Sequence, residues 1–405
     1  MKFKPLLSLS ILIAVSAIPM FGKKSPKKDK KVAESEVVAV GIESIDSIST
    51  PVVPMEPDIN NSYIRGVRSD SVLRLAIVLA DITGNRDKEF SRGFLLGLQK
   101  VDIPEGSLSL KMINGGIPTD SLNSVLIEFN PDVIFSTHEK EMPAPLLDYA
   151  LSNYVKLFSV FDAKGEDYKN HPGVYQLLTP SVPFNINTAN YLIDNYGDHT
   201  LLLIGDPDDS DQIIREMVLA WPDEQLMLIE KANLPSFTPE EGKNYLIYPT
   251  IKSNNELAPM MEEIRKKMKA NPLSGLRVVG RPNWVAINDL GKTVEGVEVL
   301  VPSKCYFDTS MDASKRFITE YKANYEHTPI KSFPVYSVMG SDAARYFVPI
   351  LVGEIRGTVG EWTPQDMIQS YFSIGDEGWN QGAFNQGTYI LHYLPANKMK
   401  KDLVN

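Results

Sequence analysis

From Leu73 onward, short apolar runs alternate with longer stretches that carry apolar residues at helical spacing. Leu73–Ala80 is mostly apolar, with Ile77 and Val78 at its centre, and its length predicts a buried strand rather than a helix. It runs into Asp81-Ile82-Thr83-Gly84-Asn85, a turn of polar and flexible residues. Phe90, Phe94, Leu98 and Val101 then share one helical face, and Gly93 and Gly97 read as places where that helix lies close to a sheet. The unit recurs. Strands are expected at Leu73–Ala80, Leu108–Ile113, Asp132–Ser136, Lys156–Val160 and Val174–Leu177. Helices are expected at Lys88–Val101, Asp120–Phe129 and Pro145–Tyr154, and one over Pro183–Tyr196 closes the series.

A second series opens at His199-Thr200-Leu201-Leu202-Leu203-Ile204, again followed by an acidic turn, Gly205-Asp206-Pro207-Asp208-Asp209-Ser210. Helix Asp211–Ala220, strands Gln225–Glu230 and Asn244–Tyr248, helix Leu257–Ala270 and strands Leu276–Gly280 and Val297–Pro302 follow. Long helices are expected over Ala313–Tyr325 and Tyr336–Ile355. A shorter one is expected over Thr363–Phe372, with Thr363 as N-cap and Pro364 as first helical residue. Thr388–Tyr393 reads as the last strand. Two series of strand–helix units predict an α/β protein of two Rossmann-like lobes, each a parallel sheet flanked by helices, joined by hinge crossovers. The folded domain is placed at about 73–400, with lobe one at about 73–180 plus 282–335 and lobe two at about 181–281 plus 336–400. Crossovers are expected near Ser181, near Arg281 and before Tyr336.

The N-terminus changes the picture from a bare domain to an exported one. Lys2 and Lys4 precede the apolar run Leu6–Phe21, so residues 1–22 read as a signal peptide and the location as periplasmic or secreted. An uncleaved anchor is the alternative for the same run. Residues 23–72 hold no helical or strand period and read as a flexible linker. Within it the basic run Lys23–Lys31 suits weak contact with anionic lipid or simple solvation. The formal net charge of −10 argues against a nucleic-acid partner. The single cysteine, Cys305, excludes an intrachain disulfide and reads as a buried small residue.

Four stretches carry a family resemblance. They are Glu89–Leu98 with its Gly-Phe-Leu-Leu core, the Gly-x-Pro-x-Trp turn Gly280–Trp284, the long helix from Tyr336 to Phe347, and the closing strand Gly387–Pro395. In this order and spacing the chain resembles the type I periplasmic binding proteins, the two-lobed receptors for branched-chain amino acids. The resemblance is closest to a bacterial envelope group often linked to peptidoglycan-binding LysM modules. It implies ligand binding between the lobes. The chain departs from the pattern after the third strand. Amino-acid binders of this family usually carry a Gly-Pro or small-residue turn there, holding the ligand carboxylate. Here the turn is Ser136-Thr137-His138-Glu139-Lys140-Glu141, and no LysM pattern precedes Leu73.

Ligands of open α/β sheets bind beyond the carboxyl ends of the strands. That rule selects Asp81, Thr83, Asn114, Ser136, Thr137, His138, Asp162, Ser181, Asp206, Thr250, Asn283 and Trp284 as candidate ligand residues. Trp284 suits stacking on a ring or sugar face. The same residue types also serve as ordinary turn and cap residues. The acidic turn from Asp206 fails as an EF-hand, because Asp211 stands where glycine is needed and Met217 where a bidentate acid is needed. His138, His171, His199, His327 and His392 are scattered, with no zinc spacing. No nucleophile elbow or phosphate loop appears. The expectation is a non-enzymatic protein without cofactor or metal. It either closes by hinge motion around a small polar ligand, amino-acid-like or a cell-wall fragment, or serves as a ligand-free module that binds an envelope protein.

Overall fold

The computed structural model describes residues 70–139, 142–162, 171–205, 212–250, 254–287, 289–358, 367–374, 382–395 and 398–404. The expected signal peptide, nearly all of the linker with its Lys23–Lys31 run, and Thr363 with Pro364 lie outside these residues.

Strand β1 (Leu73–Leu79) leads through a polar turn into helix α1 (Asn85–Leu98). Then come β2 (Leu108–Asn114), α2 (Thr119–Phe129), β3 (Val133–Ser136), α3 (Ala144–Ser152), β4 (Lys156–Ser159) and β5 (Val174–Gln176). Every residue of β3, β4 and β5 is buried, as a parallel sheet covered on both faces requires. The second series runs α4 (Ser181–Tyr196), β6 (Thr200–Ile204), α5 (Gln212–Ala220), β7 (Leu226–Ile229), β8 (Asn244–Pro249), α6 (Leu257–Ala270), β9 (Gly275–Val279), α7 (Leu290–Thr293) and β10 (Glu298–Ser303). Helices α8 (Asp312–Tyr325) and α9 (Tyr336–Arg356), the short β11 (Ala383–Phe384), and the hairpin β12 (Thr388–Leu394) and β13 (Lys398–Val404) complete the chain.

These strands form two sheets, in the orders β11-β5-β4-β3-β1-β2 and β13-β12-β10-β9-β8-β6-β7. Both are parallel except where β12 pairs antiparallel with β10 and β13. The predicted α/β architecture of two lobes is therefore present. The exchange of segments between lobes differs from the expected one. Strand β10 continues the second sheet beside β9, not lobe one as expected of 282–335. Helix α9 packs into the core of the first lobe with β1, β3 and α1, not into lobe two as expected of 336–400. The chain crosses between lobes at 177–180, 304–311 and 385–387; of the three expected positions only that near Ser181 coincides. Arg281 lies within lobe two and the chain before Tyr336 within lobe one.

The placement of α9 follows from a helix pair that periodicity does not reveal. A Cβ at Gly93 would stand 1.7 Å from the Ser337 carbonyl oxygen, and one at Gly340 would stand 2.1 Å from that of Phe90. Helices α1 and α9 thus meet backbone to backbone. Gly93 and Gly97 serve this helix contact, not the close sheet contact expected of them. The expected helix over Thr363–Phe372 is also absent where it is described: 367–373 is irregular. Its N–H groups go to Asp342 instead, a fully buried carboxylate that accepts from Ile368 (2.8 Å), Gln369 (3.0 Å) and Ser370 (2.9 Å). Strand β13 was not expected at all. Its lysine-rich pattern is that of a guarded sheet edge rather than of a core strand.

Candidate functional site

The strand-end rule points to the turns after β1, β2, β3 and β4 in lobe one and after β6, β8 and β9 in lobe two. In lobe one these turns are organised by a residue not singled out in the sequence. Asp87, in the first turn of α1, is 1% exposed. Its Oδ2 accepts from the Asp81 N–H (2.7 Å) and from the Thr137 hydroxyl (2.8 Å), while Oδ1 accepts from Arg86 Nε (2.8 Å). Thr137 Oγ1 in turn accepts from the Ala80 N–H at 2.9 Å. The ends of β1 and β3 are thereby tied to the start of α1, where a carboxylate also suits the helix dipole. An acidic residue in a first helical turn is the only sequence signal for Asp87, and that signal is common.

Ser136 and Thr137 are both fully buried. Thr137 is committed to Asp87 and Ala80. Ser136 Oγ lies 2.8 Å from His138 Nδ1. The half-buried His138 is held below the ordinary imidazole range, chiefly by desolvation. Arg86 Nη1 donates to Glu139 at 2.8 Å, and its guanidinium lies 5.5 Å from the centre of the Phe161 ring. Phe161 packs edge-on against Phe90 and Tyr336.

The other candidates divide. Asp81 and Thr83 are exposed, and the Thr83 hydroxyl and N–H both donate to Asp81 Oδ1. Those bonds hold the Asp81 carboxyl below its usual range. Asn114 is half-buried and accepts from the Gly116 N–H. Asp162 is buried at the end of β4. Thr250 bonds back to the Ile204 carbonyl, and Asn283 is exposed. Ser181 opens α4 and accepts from Lys304 Nζ at 3.4 Å. Trp284 is fully buried in the lobe-two core, packed against Gly280. It is a core residue, not an open stacking platform. Asp206, Lys140 and Glu141 lie outside the described residues.

The three crossovers converge on one polar junction. Asn385 donates to the carbonyls of Leu177 (3.0 Å) and Tyr371 (2.8 Å) and accepts from the N–H groups of Ser373 and Gly387. Tyr306 N–H reaches the Gln369 carbonyl at 2.9 Å. The segment that Asp342 holds in lobe one thus contacts the crossovers at 304–311 and 385–387.

Among the described residues no cluster of His, Cys, Asp and Glu is placed to hold a metal ion. None of the described helices is long and apolar enough to cross a membrane. The lone Cys305 is buried, and burial pushes its thiol up to about 12.

Two lobes of mostly parallel sheet flanked by helices are linked by three crossovers. Solved structures place this arrangement: the chain has the type I periplasmic binding protein fold. It is similar to a crystal structure described as a branched-chain amino acid ABC transporter from Rhodospirillum rubrum, at 14% identity and a TM-score of 0.55 over 81% of this chain and 99% of that one. It is also similar to LpoA from Haemophilus influenzae, at 11% identity and a TM-score of 0.48 over 83% of this chain and 60% of that one. A third likeness is to the branched-chain amino acid substrate-binding protein LivJ from Streptococcus pneumoniae, solved with isoleucine, at 12% identity and a TM-score of 0.43 over 82% and 99% of the two chains. A scan against protein-family models matches none, and a search of curated proteins matches none.

Proposed function

We propose that this chain is an exported, non-enzymatic interaction module of the cell envelope, in which the turn after β3 stabilises lobe one instead of capturing a solute carboxylate. One observation carries this reading. The Thr137 hydroxyl, which a ligand carboxylate would need, already donates to Asp87 at 2.8 Å. Its neighbour Glu139 adds a second negative charge, paired with Arg86. An incoming carboxylate at this turn would meet the Asp87 and Glu139 carboxylates, with the Thr137 proton already committed.

The test is thermal unfolding of the exported chain against amino acids, sugars, nucleosides and muropeptides. A ligand present at a hundred times its dissociation constant adds about 2.7 kcal/mol of stability. No shift from any amino acid is expected. A saturable amino-acid shift that Thr137→Val abolishes would sink the reading.

A second reading rests on a different observation: Asp81 and Thr83 stay exposed at the end of β1, and the lobes are joined through the crossovers that meet at Asn385. The chain then closes around a small polar ligand that uses Asp81, Thr83, Asn114 and His138 from lobe one and Thr250 and Asn283 from lobe two. The ionised Asp81 suits an amine or hydroxyl on that ligand. A saturable shift with a sugar, nucleoside or amine, lost in Asp81→Ala, selects this reading over the first.

A further inference from the structure

The seven-stranded sheet ends on two edges of opposite character. Edge strand β13 exposes Lys398, Lys400 and Lys401, the usual defence against edge-to-edge pairing. Edge strand β7 reads Leu226-Met227-Leu228-Ile229 and has no charge in it. Met227 and Ile229 pack on the lobe core, and Leu226 packs on the opposite face beside α5. Leu228 shares that opposite face by strand alternation and is 59% exposed. On α5, the helix covering this same face, Leu219 is 80% exposed.

The backbone of β7 fixes how another strand would pair. Gly205 N–H donates to the Ile229 carbonyl at 2.9 Å, so the peptide groups of Ile229 face β6. By alternation, those of Leu226, Leu228 and Glu230 face the open edge. Two of these six groups are already taken within the chain: the Leu226 N–H by the Asp223 carbonyl and the Glu230 carbonyl by the Asn233 N–H. Four remain, namely the Leu226 carbonyl, both groups of Leu228 and the Glu230 N–H.

We propose that β7 is a homodimer interface, pairing antiparallel with β7 of a second copy about a two-fold axis at Leu228. In that register Leu228 exchanges both bonds with Leu228 of the second copy, and each Leu226 carbonyl accepts from Glu230 N–H of the other chain. All four remaining groups of each copy are used. The alternative axis, at Met227, sets the Leu228 carbonyl opposite the Leu226 N–H, which the Asp223 carbonyl already holds, and so leaves it without a donor. The exposed Leu228 side chains cover one another, and the two sheets become continuous. A closed two-fold pairing of this kind ends growth at the dimer.

Sedimentation velocity of the exported chain across a concentration series tests this, alongside Leu228→Lys and Leu228→Met. Leu228 is exposed, so neither substitution disturbs folding, which thermal unfolding of each variant checks. The parent and Leu228→Met are expected to dimerise, with the Leu228 N–H protected from hydrogen exchange. Leu228→Lys places two ammonium groups across the axis and is expected to weaken association at least about tenfold. A monomer at every concentration, or a dimer that Leu228→Lys leaves intact, overturns the proposal. A monomer whose Leu228 N–H is nonetheless protected assigns the edge to another segment of the chain and overturns it too.

Discussion

Asp342, inside helix α9, accepts the backbone N–H of Gln369 at 3.0 Å in a core closed to water. The same carboxylate holds the N–H groups of Ile368 and Ser370. Desolvation raises its pKa, and the three N–H bonds oppose that rise. The bonds therefore make a buried charge tolerable. They also set the segment from which Gln369 and Tyr371 reach the crossovers.

Asp342→Ala leaves three buried donors without acceptors and is expected to cost about 3 kcal/mol or more. Denaturant unfolding measures the loss. Asp342→Asn keeps the shape and one acceptor oxygen, so its cost is smaller. An Ala variant as stable as the parent would show that the segment is held by other contacts.

Gly93→Ala and Gly340→Ala each place a methyl inside the α1–α9 contact, where carbonyl oxygens stand 1.7 and 2.1 Å from the added carbon. Separating two packed helices is expected to cost at least about 1–3 kcal/mol in each case. Gly291→Ala meets nothing within 4 Å and serves as the neutral control. Thermal unfolding of the three variants gives the comparison.

Lys304 sits where the crossovers at 177–180 and 304–311 meet, near Ser181 and the Phe184 ring. Burial pushes its ammonium down from 10.5 to about 8. At pH below 8 the folded and unfolded chains both carry the proton. Between about 8 and 10.5 the unfolded chain binds it and the folded chain does not, so this group makes stability rise with pH across that window. Lys304→Met should therefore be more stable than the parent by an amount largest below pH 8 and shrinking toward pH 10.5. Denaturant midpoints across this range decide it; a constant difference would refute the assignment.

His392 and Asp402 fasten the C-terminal strand. His392 Nε2 lies 3.1 Å from Asp402 Oδ2, and the Tyr191 hydroxyl donates to the same oxygen at 2.6 Å. Burial lowers the His392 pKa below 6.5, with Asp402 opposing the shift. As pH falls through 6.5 the unfolded chain takes up the proton first, so stability is lost on acidification. His392→Gln should flatten that acid loss. Asp402→Ala should speed hydrogen exchange along β13 before it affects β6 or β8.

Part of this was legible in the sequence. Leu73–Leu79 and Thr200–Ile204 are apolar runs bounded by polar turns, and a run of that kind has few outcomes other than a covered parallel strand. The two series followed from counting such runs. Local pattern did not carry the pairing of Gly93 with Ser337, because a glycine announces close approach without naming its partner. The lobe of α9 is set by that contact, and the lobe of β10 by its pairing with β9.

The candidate site divides along the same line. Strand-end position placed Asp81, Thr83 and Thr137 together, since that follows from sheet topology alone. Whether a hydroxyl there faces a ligand or the chain's own carboxylate depends on Asp87, 50 positions from Thr137 in sequence. Likewise Trp284 reads as a surface ring in its turn, and only the Gly280 contact shows it buried. The elements, their order and the two-lobed class follow from the residue pattern, because these rest on periodicity within short windows. Tertiary structure alone decided which segments exchange between lobes, which polar groups are already satisfied and which sheet edge stays open. Those depend on partners that folding brings together from distant parts of the chain.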